Sequence, residues 1–328
     1  MRVGVLNNLK AGRNRKQVSR VLEVLRRYPD VAHVETESVR DLPEALVDLT
    51  RREVDLLVVN GGDGTLQYVL TELLGSTDLP TIRFVAPLRG GRTNMTASDL
   101  GADPRAGRGL VSLLDALAAG RLDDRLVARP VLRVASSRRS GVQYGMFFGG
   151  GTIQRAVSLV HRTFPPGQQG VFGAGIVTGA LITRAFTNPS DGILTPDKAV
   201  VHVDGRALRH SEFYLLIAST LSHLFLGMRP FWGDGPGGVR LTGISSRPHR
   251  SIAAAPGILR GRRRRSRELV ANEVGERVAP CHAHARTKAS LRSAESSTCS
   301  SGSGAKISPS IVKPQPIAIC VRCAFALS

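Results

Sequence analysis

Cysteine, aromatic residues and long apolar runs are all scarce in this 328-residue sequence. All four cysteines follow residue 280, so the first 280 residues cannot rely on a disulfide framework and suit a reducing compartment. No run approaches the roughly 18 uncharged apolar residues that a membrane-spanning helix needs. The first residues show neither the apolar core nor the cleavage site of a signal peptide. A secreted or membrane-spanning protein is therefore disfavoured, and we expect a cytoplasmic one.

Acidic residues are few relative to basic ones. The sequence has 45 lysines and arginines against 26 acidic residues, a net charge of +19. The segment 260–328 holds thirteen basic and four acidic residues, so about half of the excess lies there. Such a basic protein attracts nucleic acid, anionic lipid or phosphate ligands, and charge alone does not separate them. With 42% hydrophobic residues, the chain can nonetheless bury a sizeable core.

Residues 1–125 alternate strand-like and helix-like patterns, which is typical of a parallel sheet covered on both faces. Short apolar runs predict the strands, and apolar residues at helical spacing predict the helices between them. The predicted strands are Val3–Leu6, His33–Thr36, Val54–Asn60 and Thr81–Ala86, and the predicted helices are residues 18–25, Leu42–Thr50, Leu66–Leu74 and Gly109–Ala119. We therefore expect a three-layer α/β domain over residues 1–125.

Residues 126–259 predict a second, mostly β, sandwich-like domain. Apolar, β-branched runs separated by turn residues dominate this part of the chain. The predicted strands are Val127–Ala135, Val142–Phe148, Ala199–Val203, Glu212–Ser219 and Val239–Thr242, and two helical stretches, Ile153–His161 and Phe172–Thr187, interrupt them.

Residues 260–328 differ in composition from both domains. They contain the basic run Arg262–Arg265 and the low-complexity stretch Ser293–Gly304, and no aromatic residue occurs between Gly233 and Ala324. We expect a disordered, low-complexity basic tail without a packed core. Two explanations stay open: the native reading frame is lost near Gly261, or the tail is a genuine disordered segment.

The turn Gly61-Gly62-Asp63-Gly64-Thr65 follows an apolar strand and opens a helix. Glycines let backbone N–H groups approach a ligand closely, and a helix N-terminus adds partial positive charge that suits phosphate. The turn is neither a P-loop nor the Rossmann fingerprint. Asp63 would repel a phosphate unless it orients a metal ion or a hydroxyl. The pattern predicts a phosphate-ligand site, and the structural alternative is a tight strand-to-helix turn.

This turn resembles the glycine motif of the diacylglycerol kinase catalytic domain family, which includes bacterial lipid kinases and shares a superfamily with NAD kinases. Asn8–Gly12 is similar to the family's N-P-x-x-G loop, with Leu9 in place of proline. Gly91–Gly101 is similar to its G-T-x-N-D-x-A-x-x-L-G segment. Thr36 stands where the family places a threonine that contacts the nucleotide.

The resemblance implies a kinase that holds ATP between two domains and, assisted by Mg²⁺, transfers its γ-phosphate to a lipid hydroxyl. Asp63 would organise the metal ion or the acceptor and is the candidate catalytic residue. Arg92 would pair with a phosphate or obstruct the pocket. The implied nucleotide-binding residues are Asn8, Thr36, Gly61, Gly62, Asp63, Gly64, Thr65, Arg92 and Asn94.

The departures from the family pattern affect the acceptor side. Arg92 replaces a threonine, Met95 replaces an aspartate, and the D-G-E motif that acts on the acceptor hydroxyl does not occur. Asp234, next to Gly235, is the nearest candidate for the family's second metal-binding acid. We therefore expect impaired transfer. Two alternatives stay open: an NAD kinase-like enzyme of the same superfamily, and a non-catalytic basic protein that binds polyanions.

The expected partners follow from the same resemblance. They are ATP and a lipid substrate at the membrane surface, with no specific nucleic acid, and a homodimer stays open. We expect the protein in the cytoplasm or peripherally at the inner membrane face, in lipid metabolism.

Overall fold

The first domain is a parallel sheet with helices on both faces. The computed structural model describes residues 1–75, 82–136, 139–155, 159, 195–204, 206–232 and 238–245, and the strands at 270–275, 277–281, 310–311 and 317–320. The strands of the first domain are β1 (Val3–Asn8), β2 (Ala32–Thr36), β3 (Leu56–Gly61) and β4 (Phe84–Arg89). Its helices are α1 (Asn14–Arg26), α2 (Leu42–Arg51), α3 (Asp63–Gly75), α4 (Met95–Asp99) and α5 (Ala106–Ala118).

The four strands pair in parallel in the order β2-β1-β3-β4. Because side chains alternate along a strand, β3 contributes side chains to two separate hydrophobic cores. Leu57 and Val59 pack with the buried residues of α2 and α3, whereas Leu56 and Val58 pack with those of α1 and α5. The predicted three-layer α/β arrangement is confirmed.

Several element ends differ from the sequence prediction, and one helix was not predicted. β4 continues past Pro87 to Arg89, because its pairing with β3 holds Arg89 beside Gly61. α5 begins earlier than predicted, at Ala106, after the Asp103 carboxylate accepts the Arg105 N–H at 2.7 Å. α4 was not predicted, since five residues are too few to show a helical period.

The second part of the chain is mostly β, as predicted, and its strands pair antiparallel. Its strands are β5 (Leu126–Arg129), β6 (Leu132–Ser136), β7 (Arg139–Gly145), β8 (Phe147–Gly151), β9 (Asp197–Lys198), β10 (Val200–Val203), β11 (Arg206–Ala207), β12 (Glu212–Phe213), β13 (Leu215–Ser219) and β14 (Val239–Ile244). β13 lies between β8 and β14. The predicted strand Val127–Ala135 divides into β5 and β6 around Pro130, which lacks the N–H that a strand ladder needs.

Strand pairing continues beyond residue 260. β15 (Val270–Gly275) pairs with β14, β16 (Arg277–Cys281) with β10 and β17 (Ser310–Ile311), and β18 (Ile317–Cys320) lies between β4 and β5. The sheets thus include strands from the segment predicted as a tail. Arg262–Arg265, Ser293–Gly304 and the predicted helix Phe172–Thr187 lie outside the described residues. Among the residues described, none of the helices has the length and apolar character that crossing a bilayer requires.

Candidate functional site

The carboxyl ends of the parallel strands bring the sequence-predicted residues to one edge of the sheet. β1 ends at Asn8, β2 at Thr36, and β3 at Gly61, which lies beside Arg89 at the end of β4. Ligands of open α/β sheets bind at this edge. Three segments leave it, residues 9–13, 62–65 and 90–94, which we call the glycine loops.

Hydrogen bonds join the predicted residues directly. The Asn8 side-chain amide donates to the Thr65 hydroxyl over 2.8 Å, and the Asn8 side-chain oxygen accepts the Lys10 N–H at 3.0 Å. The Leu9 N–H donates to the Thr36 carbonyl over 2.9 Å. The N-P-x-x-G-like loop, the end of β2 and the GGDGT turn therefore form one connected unit.

Packing requires glycine at some positions of this unit but not at others. A Cβ on Gly61 would lie 2.6 Å from the Thr65 Cβ, and one on Gly91 would overlap the Cα of Gly62. A Cβ on Gly64 would have no atom of the described chain within 4 Å apart from its chain neighbours and its own helix backbone. Gly61 therefore leaves room for the Thr65 side chain within one turn, and Gly91 allows two loops to meet, whereas no described residue outside the helix covers Gly64.

Helix α3 presents its N-terminus at this open face. The first i to i−4 backbone hydrogen bond of this helix joins the Leu66 N–H to the Gly62 carbonyl, at 3.0 Å. The N–H groups of Asp63, Gly64 and Thr65 therefore have no acceptor within the helix. Free N–H groups and the positive end of the helix dipole together favour a phosphate.

Asp63 has a structural role that the sequence did not indicate. Its two carboxylate oxygens accept the N–H groups of Met95 and Thr96 at 2.9 and 2.8 Å, so it caps α4 from 32 residues away in sequence. The carboxylate thereby fixes the Gly91–Gly101 segment against the GGDGT turn. Its assignment as a metal ligand or catalytic residue stays a prediction.

The described glycine loops offer a single carboxylate to a metal ion, so most of its ligands would have to come from elsewhere. Asp63 is the sole acidic residue of the three glycine loops, and no group of three His, Cys, Asp or Glu residues that could hold a metal ion occurs in the described part of the chain. Mg²⁺ commonly uses one or two carboxylates together with substrate phosphates and water. The second predicted ligand, Asp234, lies outside the described residues.

Asn94 locks the third glycine loop. It adopts a left-handed conformation with φ of 51°, and its side chain both accepts the Gly91 N–H at 2.7 Å and donates to the Gly91 carbonyl over 2.8 Å. It is buried, and the cavity that it shares with Gly62 and Asp63 is only about 10 Å³. That cavity is too small to hold a nucleotide. The Arg92 side chain packs across Gly12, where a Cβ would overlap it.

Sequence reasoning missed a cluster of buried asparagines beneath the loops. The Asn14 side-chain amide donates to the Asn8 and Asn60 carbonyls, both at 2.8 Å, and the Asn60 amide donates to the Asn7 side-chain oxygen at 2.9 Å. The Asn14 backbone N–H also donates to the Gly90 carbonyl, at 3.1 Å. Asn14 therefore joins the ends of β1 and β3 to Gly90 of the third loop. The sequence shows asparagines at the ends of apolar strands, but this pattern does not show that their side chains meet.

Asp99 connects the same segment to the second domain. Its fully buried carboxylate accepts the backbone N–H groups of Ser222 and His223 at 3.2 and 2.6 Å. It also lies 3.0 Å from the His223 Nδ1 and 3.5 Å from an Arg129 guanidinium nitrogen. α4 is thus held at one end by Asp63 and at the other by the β13–β14 loop.

Comparisons with known proteins agree with this arrangement. Residues 2–124 match the family model of the diacylglycerol kinase catalytic domain. No curated protein matches the sequence. The fold is similar to the crystal structure of a diacylglycerol kinase from Bacillus anthracis str. Sterne, with a TM-score of 0.55, 16% identity and 85% of each chain covered. Two structures of provisionally named diacylglycerol kinases from the same organism each have a TM-score of 0.58, with 16% and 15% identity, and again 85% of each chain is covered.

At such identities the structural likeness concerns the fold alone, whereas the family match concerns the sequence that forms the glycine loops. That matched range contains Asn8, Thr36, Gly61–Thr65 and Asn94, and it supports a kinase-family function for the first domain. The chain therefore resembles the diacylglycerol kinase catalytic domain family over residues 2–124, which confirms the resemblance indicated by its motifs.

Proposed function

We propose that the glycine loops bind ATP·Mg²⁺ and that the protein transfers the γ-phosphate to a lipid hydroxyl. The observation that carries this proposal is the open N-terminus of α3. The N–H groups of Asp63, Gly64 and Thr65 have no acceptor within the helix, and a Cβ added to Gly64 would meet no atom of the described chain within 4 Å apart from its chain neighbours and its own helix backbone. The family match adds that this turn belongs to a kinase domain.

The transfer is a displacement at phosphorus. The lipid hydroxyl oxygen forms a bond to the γ-phosphorus, the bond to the β,γ-bridging oxygen breaks, ADP leaves, and the hydroxyl proton is released. Such reactions depend mostly on positioning and on neutralisation of phosphate charge. In this chain the α3 N-terminus would hold the phosphates, and Mg²⁺ would arrive as part of the substrate complex. Asp63 is the one carboxylate that the glycine loops would bring to this reaction.

Gly64→Ala separates ligand binding from folding. A helical Cα–Cβ bond tilts toward the helix N-terminus, so the new methyl group would occupy the space assigned to phosphate. It would touch no described atom outside its own helix backbone and chain neighbours, and alanine is a better helix former than glycine. Gly75→Ala is the matched control, because it lies in the same helix and its Cβ is equally free.

The experiment incubates the protein with γ-labelled ATP and Mg²⁺ in the presence of diacylglycerol, sphingosine or NAD. We expect label in a lipid product, and we expect Gly64→Ala to reduce the rate while Gly75→Ala does not. Labelled NADP as the sole product would replace the lipid assignment with the NAD kinase-like one. Equal rates for the two variants would refute the placement of the phosphates.

A further inference from the structure

A basic cavity lies beside the glycine loops but is not formed by them. It measures about 470 Å³, within the range of small-molecule sites, and we call it the Arg89 cavity. Its walls come from the end of β4 and from the α4–α5 connection, and its lining residues are Arg89, Gly101, Ala102, Asp103, Pro104, Arg105 and Arg108.

Arg89 is an unusual residue for its position. It is half-buried at the end of an apolar strand, and its Nε atom is buried without a hydrogen-bond partner. Burial and the neighbouring positive charge of Arg13 lower the pKa of its guanidinium, and Asp103 opposes this effect. A guanidinium so placed lacks part of the solvation and pairing that buried charges normally require.

The cavity contains too little negative charge to balance its arginines. Asp103 is the one acid that lines it, and its carboxylate accepts the Arg105 N–H at 2.7 Å and lies 3.3 Å from an Arg108 guanidinium nitrogen. The described lining of the cavity therefore holds three arginines, near Arg13, and one carboxylate. An anion in the cavity would offset the remaining repulsion and supply an acceptor for Arg89.

We propose that the Arg89 cavity binds a phosphate group, carried either by a phospholipid headgroup or by a small soluble molecule. Guanidinium groups match phosphate oxygens in geometry and give short, charge-assisted hydrogen bonds. The site does not depend on the function proposed for the glycine loops, since none of its lining residues belongs to them.

Inorganic phosphate is the first probe. Its affinity is measured by thermal shift and calorimetry at constant ionic strength, with chloride as the balancing anion. We expect the double variant Arg89→Met with Arg105→Gln to bind phosphate about 10- to 100-fold more weakly, the loss that charge-assisted hydrogen bonds predict. The control, Arg26→Gln with Arg51→Gln, removes the same charge from exposed positions and keeps the wild-type affinity.

Two further variants make the outcome decisive. Arg105 is exposed, so Arg105→Glu alone tests the cavity without disturbing the half-buried Arg89. Gly64→Ala keeps its phosphate affinity here if the cavity is the site. The proposal is overturned if Arg105→Glu and the double variant bind phosphate as the control does, or if Gly64→Ala alone abolishes the binding.

Vesicles distinguish the two sources of phosphate. Binding to phosphatidylcholine vesicles that contain phosphatidylglycerol, lost in the double variant and competed by free phosphate, assigns the site to a lipid headgroup. Phosphate binding without any difference between anionic and neutral vesicles assigns it to a soluble ligand. Failure of both probes to distinguish the double variant from its control rejects the site.

Discussion

Replacing Asn14 tests whether one buried side chain holds the ends of β1 and β3 together beneath the glycine loops. Asn14→Ala removes two hydrogen bonds of 2.8 Å from a fully buried site and leaves the Asn8 and Asn60 carbonyls without that donor. An unsatisfied buried group costs about 1–3 kcal/mol. The Asn8 carbonyl keeps a bond from the Ala11 N–H at 3.2 Å, so its share is at the lower end. We expect a total loss of about 2 kcal/mol.

That loss corresponds to a fall in Tm of roughly 4–8 °C, using about 2–4 °C per kcal/mol for a chain of this class. Thermal and urea unfolding followed by circular dichroism measure it. Ser19→Ala, an exposed change on the same helix, is the control and should leave Tm unchanged. ATP affinity should fall as well, because the ends of β1 and β3, from which two of the glycine loops lead, lose their shared donor. An Asn14→Ala protein with the Tm and ATP affinity of the wild type would refute the reasoning.

Three further outcomes are expected. Asp63→Ala removes the cap of α4 and should lower the free energy of unfolding, measured by urea titration, by about 1–2 kcal/mol, whereas Asp63→Asn should keep part of the capping stability. An unchanged free energy of unfolding in both variants would contradict the capping geometry. Asp99→Ala should cost about 2–4 kcal/mol and make the second domain more susceptible to limited proteolysis; an unchanged cleavage pattern would argue against the link. The pKa of Asp55 is lowered mainly by the hydrogen bond from the Arg2 N–H and, to a smaller extent, by the one from Arg83. The stability that the Asp55 carboxylate contributes is therefore fully present above its unfolded pKa of about 4, and it is lost as the pH falls through the lower folded pKa. The stability difference between wild type and Asp55→Asn, measured from pH 7 to pH 2.5, should shrink only at the acid end, and a constant difference would contradict this account.

The sequence predicted those features that depend on local pattern. Alternating apolar runs indicated the parallel sheet, and the GGDGT string marked the strand-to-helix turn where Gly64 lies open. Positional errors arose where tertiary contacts decide. Thr81–Ala86 was placed early because the apolar run precedes Pro87, whereas pairing with β3 carries β4 to Arg89.

Long-range side-chain contacts were beyond a single sequence. Asp63 looked like a metal or acceptor group, and its bonds to Met95 and Thr96 span more than thirty residues. Asn60 counted as one polar residue ending an apolar strand, with nothing to show that it meets Asn14. The arginines of the Arg89 cavity contributed only to a net charge, since their convergence depends on how α5 follows β4.

The ATP affinity of Gly64→Ala tests the central claim most directly. Calorimetric titration with ATP and Mg²⁺ needs no lipid acceptor, so it reports on the α3 N-terminus whatever the activity of the chain. The account predicts roughly 10- to 100-fold weaker binding for Gly64→Ala, as expected for the loss of a charge-assisted phosphate contact, and wild-type binding for Gly75→Ala. ATP binding by Gly64→Ala as tight as that of the wild type would contradict it.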